Sequence, residues 1–201
     1  MKKSTKRPGR TAQAVPFASA FTAEPLPLAC SDPRGAGLPV LFVHGFGHNR
    51  SVWEKLAAGL PDGFRPISVD LRGHGESPWS PGAEYDLTCY AADLEALVAR
   101  LGLERLHVVA HSLGGTVATL YAVDASAEIL SLTLVDTGPA LEASGSNHVV
   151  DEVENALRSF ATVAEYRAWL STIHPMGDPE LLDRLAATGV VRRVDGRFEP
   201  A

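Results

Sequence analysis

The sequence predicts an α/β fold, a mostly parallel sheet with flanking helices, followed by a helical cap. Three observations carry that reading. Short β-branched runs recur at 39–44, 67–71, 106–110 and 132–135, with helix-spaced stretches between them. A glycine-containing turn follows each of the first three runs, at Gly45, Gly73 and Gly114. Beyond Pro139 apolar residues recur at helical spacing, with no further strand signal until 190–194.

Taken in order, residues 1–23 carry no acid, while Lys2, Lys3, Lys6, Arg7 and Arg10 crowd the first ten positions. Pro8 and Pro16 interrupt any amphipathic helix there, so a flexible basic tail is expected. The same composition is that of an organellar transit peptide, which stands as the alternative to a cytoplasmic protein. Ser51 with Glu54 fits a capping box opening a helix through Leu60, ended by Pro61. Asp86 or Thr88 caps the next helix, where Tyr90, Leu94, Leu97, Val98 and Leu101 form one stripe and Gly102 is the stop. A third helix opens at Ser112 and Leu113 and is expected to reach about Ser126. In the cap, Val149, Val153, Leu157 and Phe160 make one stripe, and Tyr166, Trp169, Leu170 and Ile173 another behind a Thr162/Glu165 capping box. Asp178 followed by Pro179 reads as an N-cap with proline at the first helical position. The expected division is therefore a tail (1–23), the N-terminal part of the α/β core (24–140) and a cap (141–201).

Composition narrows the function. The 201 residues hold 18 basic and 24 acidic side chains, a net charge of −6, which argues against nucleic-acid binding. No apolar run is long enough for a membrane span. The two cysteines, Cys30 and Cys89, match no metal motif and favour a reducing compartment.

The residues that carry chemistry cluster in three blocks. In Ala110-His111-Ser112-Leu113-Gly114-Gly115, a serine sits where an apolar run meets a helix. Such a turn exposes its hydroxyl, and the flanking positions must be small because the backbone is tight. The helix N-terminus behind Ser112 favours developing negative charge, and the Leu113 amide is placed to meet it. The second block is Val43-His44-Gly45-Phe46-Gly47, the third Asp70-Leu71-Arg72-Gly73-His74-Gly75-Glu76-Ser77. The last reads as a structural turn, since one arginine beside two glycines lacks a phosphate-cradling pattern.

Together the blocks resemble the α/β-hydrolase superfamily, closely over residues 26–140 and loosely over 141–201. The first is similar to its G-x-S-x-G nucleophile elbow, with Ala110 in place of the first glycine. The second resembles its oxyanion loop and the third its D-x-R-G-x-G-x-S turn. The resemblance implies Ser112 as nucleophile and the amides of Phe46 and Leu113 as the oxyanion hole. His44 and Gly45 would shape that loop, with His44 held by a structural hydrogen bond. Asp136, directly after the fourth run, resembles an acid position that some members use, and also reads as a hydrogen-bonding residue at a strand end. Neither His148 nor His174 matches the family's base, so each is expected to be solvated or packed. Phe160, Tyr166, Trp169 and Met176 read either as plain packing or as an acyl pocket.

The resemblance implies a serine hydrolase acting through an acyl-enzyme on a small carboxylic ester, thioester or lactone, with no metal or organic cofactor. The alternative is a non-catalytic hydrolase-fold binding protein, suggested by the lack of a recognisable base. By counting, the four runs are strands three to six. The 61 residues after Ala140 hold a cap but not two more strand–helix units of about 30 residues each, so the last strands are expected to be missing. An uncovered sheet edge and self-association through it are the expected consequences, and 195–201 reads as a turn with nothing closing it.

Overall fold

The computed structural model describes residues 24–33, 35–138 and 158–200. Five strands form one sheet: β1 (Cys30–Ser31), β2 (Leu38–Val43), β3 (Phe64–Val69), β4 (Arg105–His111) and β5 (Glu128–Val135), in spatial order β1-β3-β2-β4-β5. Every neighbouring pair is parallel except β1 with β3. Four strands start upstream of the apolar runs: β2 at Leu38, β3 at Phe64, β4 at Arg105 and β5 at Glu128. Residues outside the runs, among them Arg65 and Glu128, pair through the backbone ladder as well, so an apolar run marks only part of each strand. At the other end His44 and Asp70 fall outside the strands, because both side chains turn back to bond neighbouring loops.

The sheet is covered on both faces. Leu41 and Val43 of β2 face a core with α2 (Leu87–Arg100) and α3 (Leu113–Tyr121), built from Leu94, Leu97, Val117 and Ala118. Val40 and Phe42 face the other side, against Trp53. Trp53 closes a 3-10 turn (Arg50–Trp53) that runs into α1 (Glu54–Ala58). This segment is capped by Asn49 rather than Ser51: the Ser51 amide donates to Asn49 Oδ1 at 3.0 Å. Asp86 is the N-cap residue of α2, though its side chain makes no capping bond, and Gly102 (φ 64°) terminates the helix. α3 ends at Tyr121, earlier than expected, because 122–127 must turn the chain into β5, where the Glu128 amide bonds Glu104 O at 2.9 Å. β5 pairs only with β4 among the described residues, leaving Leu134 and Val135 about two-fifths exposed.

The cap residues form α4 (Val163–Ile173), α5 (Pro179–Thr188) and a hairpin of β6 (Val190–Arg192) and β7 (Phe198–Pro200). Thr162 Oγ1 accepts from Glu165 N at 3.1 Å, and Asp178 Oδ1 from Glu180 N at 2.9 Å, so both capping patterns form. The segment read as an unclosed turn instead ends in β7, whose Phe198 exchanges backbone bonds of 2.7 and 2.8 Å with Phe160. Phe160, Tyr166 and Trp169 pack on one another around Leu170, Leu182 and Leu185. α5 lies on the 3-10 turn and α1, where Asn49 and Ser51 bond Thr188, Arg184 pairs with Glu54 and Lys55 with Asp178. The basic tail and the stripe residues Val149, Val153 and Leu157 lie outside the described residues. No helix among the described residues is long and apolar enough to cross a membrane.

Candidate active site

Ser112 sits between β4 and α3 at φ 48°, ψ −117°, a region that side chains with a Cβ rarely occupy. The surroundings hold it there. Its amide donates to Val135 O at 3.1 Å, and Thr137 Oγ1 donates to Ser112 O at 3.3 Å. The small residues after it are compelled by close packing. A Cβ on Gly114 would stand 2.3 Å from His44 O, and one on Gly115 2.2 Å from Thr137 Oγ1. Ala110 is fully buried in the core, so the methyl that replaces the usual glycine is accommodated.

The loop after β2 abuts this elbow. A Cβ on Gly45 would meet His111 Nδ1 at 2.5 Å and Ser112 Cβ at 3.1 Å, so the Phe46 turn and the start of α3 at Leu113 lie side by side. His44 secures that loop. Its Nε2 accepts from the Leu71 amide at 3.0 Å, which leaves the proton on Nδ1 to donate to Gly45 O at 2.7 Å. Burial, with His74 nearby, pushes the His44 imidazole well below its usual pKa, as suits a neutral structural ring.

The third block is a scaffold. Asp70 accepts from the amides of Arg50 at 2.6 Å and Glu76 at 3.0 Å, and pairs with the Arg50 guanidinium. Arg72, 1% exposed, forks onto Asp93 of α2 at 2.6 and 2.7 Å and donates to the carbonyls of Glu84 and Cys89. His74 bonds Arg72 O at 2.9 Å and meets the Phe46 ring edge-on.

Beside the elbow, between body and cap, lies a cavity of about 530 Å³. Its wall includes His111 and Val135, which flank Ser112 through the chain and through a hydrogen bond. Three histidines line it. The ring of His48 lies 5.8 Å from that of His111 and 6.2 Å from that of His174, which the end of α4 presents. Burial, reinforced by His111 and His174, pushes the His48 imidazole from 6.5 to about 4, so it is neutral at pH 7. The remaining wall is apolar, with Trp53 from the body and Leu181 and Leu182 from α5.

Residues 39–167 match the family described as alpha/beta hydrolase fold. The chain belongs to that family. The hydrolase fold accounts for the positions of the elbow, of the loop after β2 and of the turn after β3. The chain is 29% identical over 167 residues to 2-(acetamidomethylene)succinate hydrolase of Mesorhizobium japonicum, covering 83% of this chain and 59% of that protein. A crystal structure of E-2-(acetamidomethylene)succinate hydrolase superposes with a TM-score of 0.77 at 28% identity, covering 86% of this chain and 63% of that one. Lipase LipV of Mycobacterium tuberculosis is 35% identical over 155 residues, 74% of this chain and 58% of the lipase. This chain thus spans less than two thirds of the length of these relatives.

The structure places Gly45 against Ser112 and His44 against Gly114, with Phe46 and Leu113 on the two abutting segments. Asp136 stands one residue past β5, exposed, at φ 49°, and bonds no histidine among the described residues. Of the four residues considered for an acyl pocket, only Met176 lines the cavity, whereas Phe160, Tyr166 and Trp169 form the cap's own core. His174 is packed, and at the cavity wall. His148 lies outside the described residues. Sequence reasoning missed His48 and Trp53 as cavity residues. Their signal was proximity to the loop at 44–47, but nothing local says which way either side chain points.

Proposed function

We propose that this chain carries the nucleophile, oxyanion site and acyl cavity of a serine hydrolase acting on uncharged carboxylic esters, thioesters or lactones. Ser112 Oγ attacks the carbonyl carbon, the hydroxyl proton passes to a base, and the carbonyl oxygen becomes an oxyanion facing the amides of Phe46 and Leu113. Collapse expels the alcohol or thiol, which takes up the proton, and leaves an acyl-Ser112 ester. Water then attacks that ester, releasing the acid and restoring the serine. The observation that carries the reading is the strained backbone of Ser112, next in the chain to His111 of the cavity wall, with the Gly45 loop packed against it. Backbone strain of this kind costs about 1–3 kcal/mol and persists where the surrounding structure enforces it.

A fluorophosphonate probe tests the proposal. Wild type is labelled at Ser112, Ser112→Ala is not, and Phe46→Pro slows labelling by about 10²–10³-fold through loss of one oxyanion donor. His174→Ala tests whether the cavity-facing histidine takes the proton, which it does if labelling slows and does not if the rate is unchanged. One observation favours a second reading, a binding protein without turnover: no side chain among the described residues bonds the Ser112 hydroxyl. A well-folded wild type that resists the probe would decide for that reading.

A further inference from the structure

The cavity beside the elbow has two unlike sides. Its polar members are three imidazoles, His48 and His111 from the body and His174 from the cap. His111 precedes Ser112 in the chain, and the Ser112 amide is tied to the backbone of Val135, another wall residue. The other side is hydrocarbon from the cap: α5 contributes Leu181, Leu182 and Leu185, and the chain between α4 and α5 contributes Pro175 and Met176. The described wall holds no lysine, arginine, aspartate or glutamate. The stretch 139–157 also has no lysine or arginine in its sequence to offer an anion.

Three apolar side chains of this wall stay in contact with water. Met176 is 96% exposed, Val135 42% and Ile173 39%. An alkyl chain laid against them removes that surface from water, which is favourable. Met176 suits such a contact, since its unbranched thioether adjusts to whatever chain lies against it. A carboxylate in the same place would lose hydration and meet no lysine or arginine of the described wall.

We infer that the acyl group of the substrate is an uncharged alkyl chain, which runs from His111 across the leucines of α5 to Met176. The inference rests on the reading of this cavity as the acyl site of Ser112. It makes Leu181 and Met176 specificity-determining residues and places longer alkanoates ahead of short or ω-carboxylated ones.

The test measures binding, so that it needs no turnover. Calorimetric titration of the Ser112→Ala protein at pH 8 compares ethyl butanoate, hexanoate and octanoate with monoethyl suberate, which is ethyl octanoate with its terminal methyl replaced by a carboxylate. Affinity is expected to rise about two- to fourfold per added methylene. The suberate is expected to bind at least about tenfold more weakly than the octanoate. Adding Leu181→Arg puts a cation on the wall and should close that gap. A second measurement covers the case in which that variant does not fold. The chain has two methionines, Met1 and Met176, so Met176→Leu assigns the Met176 methyl resonance of the Ser112→Ala protein. That resonance should shift with ethyl octanoate and stay in place with the suberate at the same concentration. A flat chain-length series, a suberate that binds as tightly as the octanoate, an undiminished gap in a folded Leu181→Arg protein or an unmoved Met176 resonance would each overturn the inference. So would a Met176 resonance that moves with protein concentration alone, which marks a second copy in the cavity. The two proposals fail separately. Labelling of Ser112 without a chain-length preference refutes only the alkyl chain, and a preference without labelling refutes only the nucleophile.

Discussion

Removing the carboxylate of Asp93 is expected to damage this protein more than any other single surface-neutral change to the scaffold of the site. Asp93 and Arg72 are 0% and 1% exposed, and the pair is a two-bond fork of 2.6 and 2.7 Å. Asp93 Oδ1 also accepts the Leu26 amide at 2.6 Å. Asp93→Ala therefore leaves a buried guanidinium with two carbonyl partners but no counter-charge, and it orphans the Leu26 N–H. Breaking one side of a buried pair costs about 3–5 kcal/mol, which for a chain of this size lowers Tm by roughly 6–20 °C. Urea unfolding followed by tryptophan fluorescence measures the loss directly. The companion variant Arg72→Met/Asp93→Leu separates charge from packing. It removes both ions and should recover at least half of the loss, the carbonyls of Glu84 and Cys89 losing their donors accounting for the remainder. A loss below about 1 kcal/mol for Asp93→Ala, or a double variant no more stable than the single one, would refute the reasoning.

Two further outcomes are expected. The unfolded chain protonates His48 near 6.5 and the folded one only at about 4, so stability is complete above pH 6.5 and falls as the pH drops through that window, by about 3 kcal/mol at its foot. His48→Gln should lessen this dependence in urea midpoints, the buried His44 and His74 keeping their share, and identical slopes in the two proteins would show that the ring is not held neutral. Ser112→Gly should raise stability by about 1 kcal/mol while abolishing labelling, because glycine accepts φ 48° without a Cβ clash. A lower Tm for that variant would mean that the elbow is not strained.

What could be read from the sequence was whatever depends on neighbours along the chain. Positive φ selects glycine at 47, 73 and 75, and close packing selects it at 45, 114 and 115, so the three loops at 44–47, 70–77 and 110–115 announced themselves and their order announced the fold. Capping by Thr162 and Asp178 was legible for the same reason, since donor and acceptor lie within three residues. Asn49 was passed over for Ser51 because both are good caps, and only the path of the chain from β2 decides between them. Strand limits were legible only in part, because a backbone ladder forms as readily through Arg65 or Glu128 as through valine. Pairings across long separations left no local trace. Arg72 with Asp93, Asn49 with Thr188, and the meeting of His48 with His174 come from elements that touch only once the sheet and cap have assembled. An aspartate inside the apolar stripe of α2 was the single sign that a buried cation must be near. The sequence by itself therefore determined the fold, the elbow and the loop that abuts it, since these are demands of backbone geometry on particular residues. Tertiary structure alone decided which side chains face the cavity and which of them stay in contact with water, because direction and burial are properties of the packed assembly rather than of any local stretch of chain.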